Sequence, residues 1–415
     1  MRDLILLRGA PASGKTTWLR ANNLEPYTIS PDSVRLMYSS PVPDPATGEL
    51  HMNMRNEQLV WDFIEDIITL RMRTGQFIVL DAQDGRYDRW IKLAKQFYYN
   101  VWYKQIDATK DECLARNAAR DPLHRLPDYV MLQAFMWLEN NPMPSSVWPV
   151  TDSVVAGTME PTVVDKYKRI HFCGDIHGSY VPLKHFYDDT DGFNEKELFV
   201  FVGDYADRGT APKETLELLM EQRDKPNVIF LEGNHRSERI WVDACKDEIR
   251  SKEFLYHTMP KLDGIDKRAL KEWCHKWQQL AYLQYHGKRY FVTHAGIGYM
   301  PEHIRWIPTQ TYVRGGDYEE DVEREWCEQC YGSDLIQVHG HRNFYGYDME
   351  ETDESINLNS PVEFGADWRV LTVSKDTIEY HYYPNPDHQP INTALAEFML
   401  EPNKIIGETN YERTY

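Results

Sequence analysis

Two groups of residues in this sequence could carry out chemistry. The first is Gly9-Ala10-Pro11-Ala12-Ser13-Gly14-Lys15-Thr16, which follows the apolar run Asp3–Arg8 and opens a helical stretch. It fits G-x-x-x-x-G-K-[ST] in the strand-to-helix context that such a loop requires. Gly9 and Gly14 let backbone N–H groups close on phosphate oxygens, with Ala12, Ser13 and Thr17 completing the cradle. Lys15 would bridge the outer phosphates and Thr16 would ligate Mg²⁺, so ATP and Mg²⁺ are the expected cofactors. The second group is five blocks in order: Gly174-Asp175-Ile176-His177-Gly178, Gly203-Asp204-Tyr205-Ala206-Asp207-Arg208-Gly209, Gly233-Asn234-His235, Thr293-His294-Ala295 and His339-Gly340-His341. Each follows a strand-like run, so the Asp, Asn and His side chains can converge at strand ends. Oxygen and imidazole donors suit Mn²⁺, Fe or Zn²⁺. Two such ions sharing a carboxylate activate water and polarise a phosphoryl oxygen.

Phosphoryl transfer to a hydroxyl also needs a base and cations around the transferred group. Asp32 sits just past the second strand, and Arg35 follows one helical turn later on the same face. Asp32 or Ser30 could equally cap that helix. Asp81 ends the next strand, where it could contact an acceptor or Mg²⁺ or simply close a turn. Arg116 and Arg120 are one helical turn apart, with Arg125 beyond them. They could form a lid over a nucleotide or a solvated helix face.

The elements that must position these residues alternate. Short strands at Asp3–Arg8, Tyr27–Ser30, Phe77–Asp81 and Val101–Ile106 are interleaved with helices at Trp18–Asn22, Asp32–Tyr38, Val60–Met72, Arg86–Phe97 and Lys110–Ala119. That alternation predicts a parallel α/β sheet. Pro41–Leu50 reads as a loop. Residues 141–165, rich in Pro, Ser, Thr and Gly, read as a linker between a first domain at 1–140 and a second at 166–383. The second α/β series has strands at Ile170–Cys173, Leu198–Val202, Val228–Leu231 and Tyr290–Thr293. Glu238–Tyr285 is expected to be mostly helical, and short strands follow Leu335. Residues 384–415 form a C-terminal extension with weak signals.

Residues 1–140 resemble the 5′-OH polynucleotide kinase module of phage and bacterial end-healing enzymes. The residues that carry the likeness are G-x-P-x-S-G-K-T-T-W, Ser30-Pro31-Asp32-Ser33-Val34-Arg35, Val79-Leu80-Asp81 and Cys113-Leu114-Ala115-Arg116-Asn117-Ala118-Ala119-Arg120. The resemblance implies that Asp32 is the general base, that Arg35 grips the acceptor's phosphate, and that Arg120 of the lid helix clamps the donor phosphates.

The five blocks resemble the calcineurin-like metallophosphoesterase superfamily over residues 168–383. That implies Asp175 and His177 on one metal, Asp204 bridging both, and Asn234, His294 and His341 on the other, with His339 in reserve. His235 would protonate the leaving group, oriented by Asp207, and Arg208 would hold the phosphate. Two departures stand out: Arg236 where an acidic residue often follows Gly-Asn-His, and Asn359, in Asn357-Leu358-Asn359-Ser360-Pro361, where the family often has a carboxylate. The fold expected from both likenesses is α/β throughout, an N-terminal P-loop kinase with a parallel sheet followed by a calcineurin-like sandwich.

The composition bounds the partners. At 415 residues two domains are the default. No apolar run approaches the roughly 20 residues that span a bilayer, so no membrane partner is expected. Six scattered cysteines make no disulfide framework, and Cys327-x-x-Cys330 lacks a second pair. A reducing cytoplasm is the expected setting, the host's if the chain is phage-encoded. The net charge of −19 falls almost wholly after residue 150, which disfavours a general nucleic-acid binder.

The order of the modules resembles the bacterial RNA-repair kinase–phosphatase without its ligase. It implies phosphorylation of 5′-OH ends and removal of 3′-phosphate or 2′,3′-cyclic phosphate, with RNA favoured over DNA. A pair of Mn²⁺ ions, a separate ligase and homodimer assembly belong to the same expectation. The competing expectations are a small-molecule kinase fused to a protein or dinucleoside-polyphosphate phosphatase, and a non-catalytic nucleotide-gated interaction protein.

Overall fold

The computed structural model describes residues 1–81, 87–242, 251–316, 321–342 and 354–388. The chain divides into two compact units, one of residues 1–159 with 301–309, the other of 160–300 with those from 310 onward.

The first unit is built on a five-stranded parallel sheet in the order Thr28–Ile29, Ile78–Leu80, Asp3–Arg8, Asn100–Gln105, Trp148–Pro149. Asp3–Arg8 is central and apolar on both faces, as a strand covered on both sides must be. Leu4 and Leu6 pack towards the helix Glu57–Arg73, whose Val60, Ile64, Ile68 and Met72 recur every four residues. Ile5 and Leu7 pack on the other side with Leu19, Phe77, Val79, Val154 and Trp306.

Two expectations change here. Residues 141–159 are not a linker, because Trp148–Pro149 adds a strand to the sheet and Asp152–Ala156 is a helix. Their Pro and Ser content masked the apolar anchors Val147 and Val154. Residues 301–309 also belong to this unit. Trp306 stacks on Phe77 at 5.7 Å, and Arg305 pairs with buried Asp3 at 2.9 Å.

The second unit is a sandwich of two five-stranded sheets. One runs Val228–Phe230, Leu198–Phe201, Ile170–Cys173, Trp368–Val373, Ile378–Tyr383. The other runs Ser355–Asn357, Leu335–His339, Lys288–Val292, Ala281–Tyr285, Thr162–Val163. Alternation along Leu198–Phe201 shows the layering. Leu198 and Val200 join Tyr290, Val292 and Val338 between the sheets, while Phe199 and Phe201 face outward against Leu183, Phe186, Leu216 and Trp273. The expected helical stretch Glu238–Tyr285 ends in strand instead. Ala281–Tyr285 pairs with Lys288–Val292 as a hairpin, its aromatic and apolar residues buried by pairing rather than by a helix face. Residues 389–415, most of the C-terminal extension, lie outside the described residues.

One buried polar group anchors this unit. The Glu197 carboxylate meets His171 Nε2 at 3.1 Å, Arg169 Nε at 2.7 Å and Asn194 Nδ2 at 3.0 Å. The hydrogen bond with His171, ahead of burial, which opposes it, holds the carboxyl down at about 2 against an ordinary 4.5. A depressed pKa contributes stability that is present above about pH 4.5 and lost as the pH falls towards 2. Glu197→Gln is therefore expected to cost about 2 kcal/mol at neutral pH and to flatten this acid limb. Urea unfolding across a pH series measures both. A variant whose stability falls as steeply as the parent's over that range would show that Glu197 is not the group responsible.

Candidate functional site

In the first unit the loop after Asp3–Arg8 turns sharply into the helix Lys15–Ala21. Gly9 is required there by close approach, since a Cβ would fall 2.6 Å from the Ile106 carbonyl oxygen and 2.7 Å from Ser13 Oγ. Gly14 has φ 109°, a conformation that L side chains rarely adopt. Lys15 folds over the loop, with Nζ donating to the carbonyls of Gly9 (3.1 Å) and Ala10 (3.2 Å) and lying 3.8 Å from Asp81. Burial lowers the pKa of Lys15 and raises that of Asp81, so each needs the other's charge. Ser13 Oγ is buried without a partner and Thr16 is exposed at the cleft, so both are available to a phosphate and its Mg²⁺.

A cleft of about 1620 Å³ runs past this loop. Its lining gathers Ala12, Ser13, Gly14, Lys15, Thr16 and Thr17 with Asp32, Arg35, Asp81, Arg116 and Arg120, so the sequence-predicted kinase residues share one cavity except Gly9, which shapes the loop from behind. Arg116 Nη1 donates to the Ser13 carbonyl at 3.2 Å, tying the lid helix Lys110–Ala118 to the loop. Arg120 donates to the His124 carbonyl at 3.3 Å.

Asp32 does not cap its helix. Ser30 occupies the cap position, and neither side chain makes a capping bond. Asp32 instead accepts from Arg35 Nη1 at 2.6 Å, while Arg35 Nε and Nη2 form a two-pronged pair with Glu57 at 2.7 and 2.6 Å. Sequence reasoning missed Glu57. Arg35 is therefore a bridge that fixes Asp32 before any acceptor arrives.

In the second unit, three parallel strands deliver the first three blocks and the paired strands Lys288–Val292 and Leu335–His339 deliver the last two. The backbone orients the carboxylates. His341 N–H donates to Asp175 Oδ2 and His235 N–H to Asp204 Oδ1, each at 2.9 Å. Asp175 Oδ1 is left buried and unpartnered, as is His177 Nδ1. Asp204 Oδ2 lies 3.7 Å from His177 Nε2 and 3.3 Å from His294 Nε2. His294 Nδ1 is engaged by the Val202 carbonyl at 3.0 Å, leaving Nε2 to face Asp204 and Asn234 Oδ1 (2.9 Å). Gly233 and Gly340 have no room for a Cβ, which would fall on the Asp204 and Asp175 carboxylates.

These donors fit two cations. Asp175, His177 and Asp204 present ligand atoms within 4.8 Å of one another, as do Asp204, His294 and His341, and Asp204 belongs to both sets. Buried oxygens and nitrogens that converge with hydrogen-bonding capacity left over are what an ion would satisfy. Electrostatics agree. Burial lifts the Asp175 carboxyl to about 7 and drops the His341 imidazole to about 3. Burial also opposes charge on His294, but Asp204 and Asp175 outweigh it and raise it to about 9. His177, Asp204, Arg208 and His341 all hold positive φ, a strained backbone at residues that would carry the chemistry.

Of the two histidines left open by sequence, His341 joins the cluster. His339 turns away, its Nε2 3.3 Å from Glu323. Arg236, in place of an acidic residue, pairs with buried Glu232 at 2.6 Å.

His235 stands at the rim. Its Nδ1 meets Asp207 Oδ2 at 2.9 Å, and Thr258 Oγ1 donates to the other Asp207 oxygen at 2.5 Å. Burial opposes charge on His235, yet Asp204 and Asp207 raise its pKa above the ordinary value. Arg208 Nη2 donates to His235 Nε2 at 3.0 Å.

Comparison with known proteins agrees with this geometry. Residues 168–371 match the family model described as calcineurin-like phosphoesterase. They form a calcineurin-like phosphoesterase domain. Residues 4–139 match the model described as AAA domain, consistent with a kinase-like P-loop unit.

Among solved structures, one described as a candidate diadenosine tetraphosphatase is 15% identical with a TM-score of 0.40, covering 54% of this chain and 97% of its own. A protein serine/threonine phosphatase from Saccharomyces cerevisiae is 14% identical (TM-score 0.37; 56% and 86% covered). A cold-active protein-tyrosine phosphatase of a psychrophilic Shewanella is also 14% identical (TM-score 0.37; 55% and 84%). No helix among the described residues is long and apolar enough to cross a membrane.

Proposed function

We propose that this chain heals broken polynucleotide ends: the P-loop unit moves the γ-phosphate of ATP to a 5′-OH, and the phosphoesterase domain removes a 3′-phosphate or opens and clears a 2′,3′-cyclic phosphate. RNA is the favoured substrate, because its cleavage leaves these ends. The reading is carried by the cleft. Its roughly 1620 Å³ exceeds the ~300–1,000 Å³ of an ordinary small-molecule pocket, and it joins the phosphate loop to an aspartate already fixed by an arginine. Lys104, Arg116, Arg120 and Arg125 line it, giving a local cationic path in an acidic chain.

In the kinase site Asp32 takes the proton of the incoming hydroxyl, and Lys15 with the loop N–H groups neutralises the transferred group. In the phosphoesterase site two bound divalent cations would supply the activated water and the Lewis acidity. Arg208, beside the cluster with its Nη1 3.5 Å from His177 Nε2, holds the phosphate. His235, held by Asp207, gives a proton to the leaving oxygen. For Nε2 to carry that proton, Arg208 must first turn from it towards the phosphate.

Incubation with labelled ATP, Mg²⁺ and 5′-OH RNA or DNA oligonucleotides tests the kinase half, and release of phosphate from 3′-phosphate oligonucleotides with Mn²⁺ tests the other. Absence of 5′ label on both polymers would overturn the reading. One observation favours the alternative of a small-molecule kinase: Arg35 is already engaged by two carboxylates. Label on nucleosides or sugars but not on oligonucleotides would decide for it.

A further inference from the structure

Arg208 is drawn against the ion cluster by a group far away in sequence. Its Nη1 donates to Glu363 Oε1 at 3.2 Å, across 155 residues, while the same nitrogen lies 3.5 Å from His177 Nε2. Glu363 is 2% exposed, and its second oxygen is buried without a partner. A buried carboxylate with an unsatisfied oxygen is costly, and in a native fold it calls for a reason. A second carboxylate, Glu253, approaches Arg208 Nε at 3.5 Å, but its side chain is 39% exposed, where an ion pair contributes little.

Glu363 is also rigidly mounted. It sits in the short turn Val362–Phe364 after Pro361, Val362 is fully buried, and Asn385 Nδ2 donates to the Val362 carbonyl at 2.8 Å. The turn leads into the strand Trp368–Val373 beside Ile170–Cys173, the strand that delivers Asp175 and His177. The loop that carries Asn359 in place of a family carboxylate thus brings a different carboxylate to the site four residues later.

The geometry points to Glu363 as a positioning residue of the phosphoesterase site, one that sets the guanidinium of Arg208 to receive a substrate phosphate. It acts only through Arg208. With the far side of the guanidinium held, rotation off His235 swings Nη2 towards the phosphate without Arg208 leaving the rim. This rests on the phosphoesterase reading of the domain, which hydrolysis of p-nitrophenyl phosphate by the wild type tests by itself.

The inference is tested with four proteins: wild type, Glu363→Gln, Arg208→Ala and the double variant. The readouts are calorimetric binding of inorganic phosphate to the Mn²⁺-loaded protein, KM and kcat for p-nitrophenyl phosphate, bound metal per chain and thermal midpoint. Glu363→Gln is expected to weaken phosphate binding and raise KM by about 10-fold with metal content unchanged. It should have no further effect once Arg208 is alanine, and Glu363→Asp should recover part of the loss. An equal loss in the Arg208→Ala background, or a fall in bound metal, would overturn the assignment. Because the phosphate titration needs no turnover, it decides the role of Glu363 even if the chromogenic substrate is not hydrolysed.

Discussion

Asp204→Asn is expected to reduce phosphoesterase turnover by about 10³-fold or more while leaving transfer from ATP untouched. Removing one preorganised electrostatic stabiliser commonly costs about 10²–10³ in rate. Asp204 is worth more than one such group, because it belongs to both ligand triads and no other residue does among the described clusters of the site's ligands. Its Oδ1 is held by the His235 N–H, so asparagine retains that bond and the local backbone. What the substitution removes is the negative charge that two cations would share. It also removes the charge that keeps His294 and His235 high. Metal per chain should fall from two towards one or none. Hydrolysis of p-nitrophenyl phosphate, metal analysis and 5′ labelling on the same preparation give the answer. Full metal occupancy with undiminished hydrolysis would remove Asp204 from the centre of the site. Loss of both activities together would point to a folding defect instead.

Much of this was legible in the sequence because the chemistry sits at strand ends. A parallel strand delivers its next residue to the same edge as its neighbours, so order along the chain becomes proximity in space for Asp175, Asp204 and Asn234. The same rule placed Lys15, Asp32 and Asp81 in one cleft.

What escaped notice is what packs behind these residues. Glu57, Thr258 and Glu363 lie 22, 51 and 155 residues from the groups they hold, in segments with no motif. Only tertiary folding brings them in, and only Glu363, four residues beyond Asn359, lies near a stretch that the sequence singled out. The choice between His339 and His341 was likewise closed to spacing. The structure places His341, just past the strand and at positive φ, in the cluster, while His339 ends the strand and faces Glu323. The mistaken linker has a related cause. Composition registers prolines and serines, whereas a two-residue strand and a few buried valines are enough to make a segment part of a sheet.

Lys15 and Asp32 should fail in different ways, and the difference separates donor binding from acceptor chemistry. Lys15→Ala is expected to lower kinase kcat/KM by about 10²–10³-fold or more, since a buried cation aimed at the outer phosphates is lost. It also leaves Asp81 buried without its partner, so the pKa of Asp81, already raised by burial, rises further. Stabilisation of the unit by Mg·ATP, read as a shift in thermal midpoint, should shrink with it. Asp32→Asn, in contrast, leaves the loop intact and keeps an oxygen to accept from Arg35. It should bind nucleotide as the wild type does, yet transfer about 10²–10⁴-fold more slowly, the usual contribution of a general base. Hydrolysis at the Asp175–His341 centre should be unchanged in both. If Asp32→Asn labelled 5′-OH ends at the parental rate, Asp32 would be a structural partner of Arg35 and the base would have to be sought elsewhere in the cleft. Asp81, 3.8 Å from Lys15 in the same cleft and with its pKa raised by burial, would then be the next carboxylate to test.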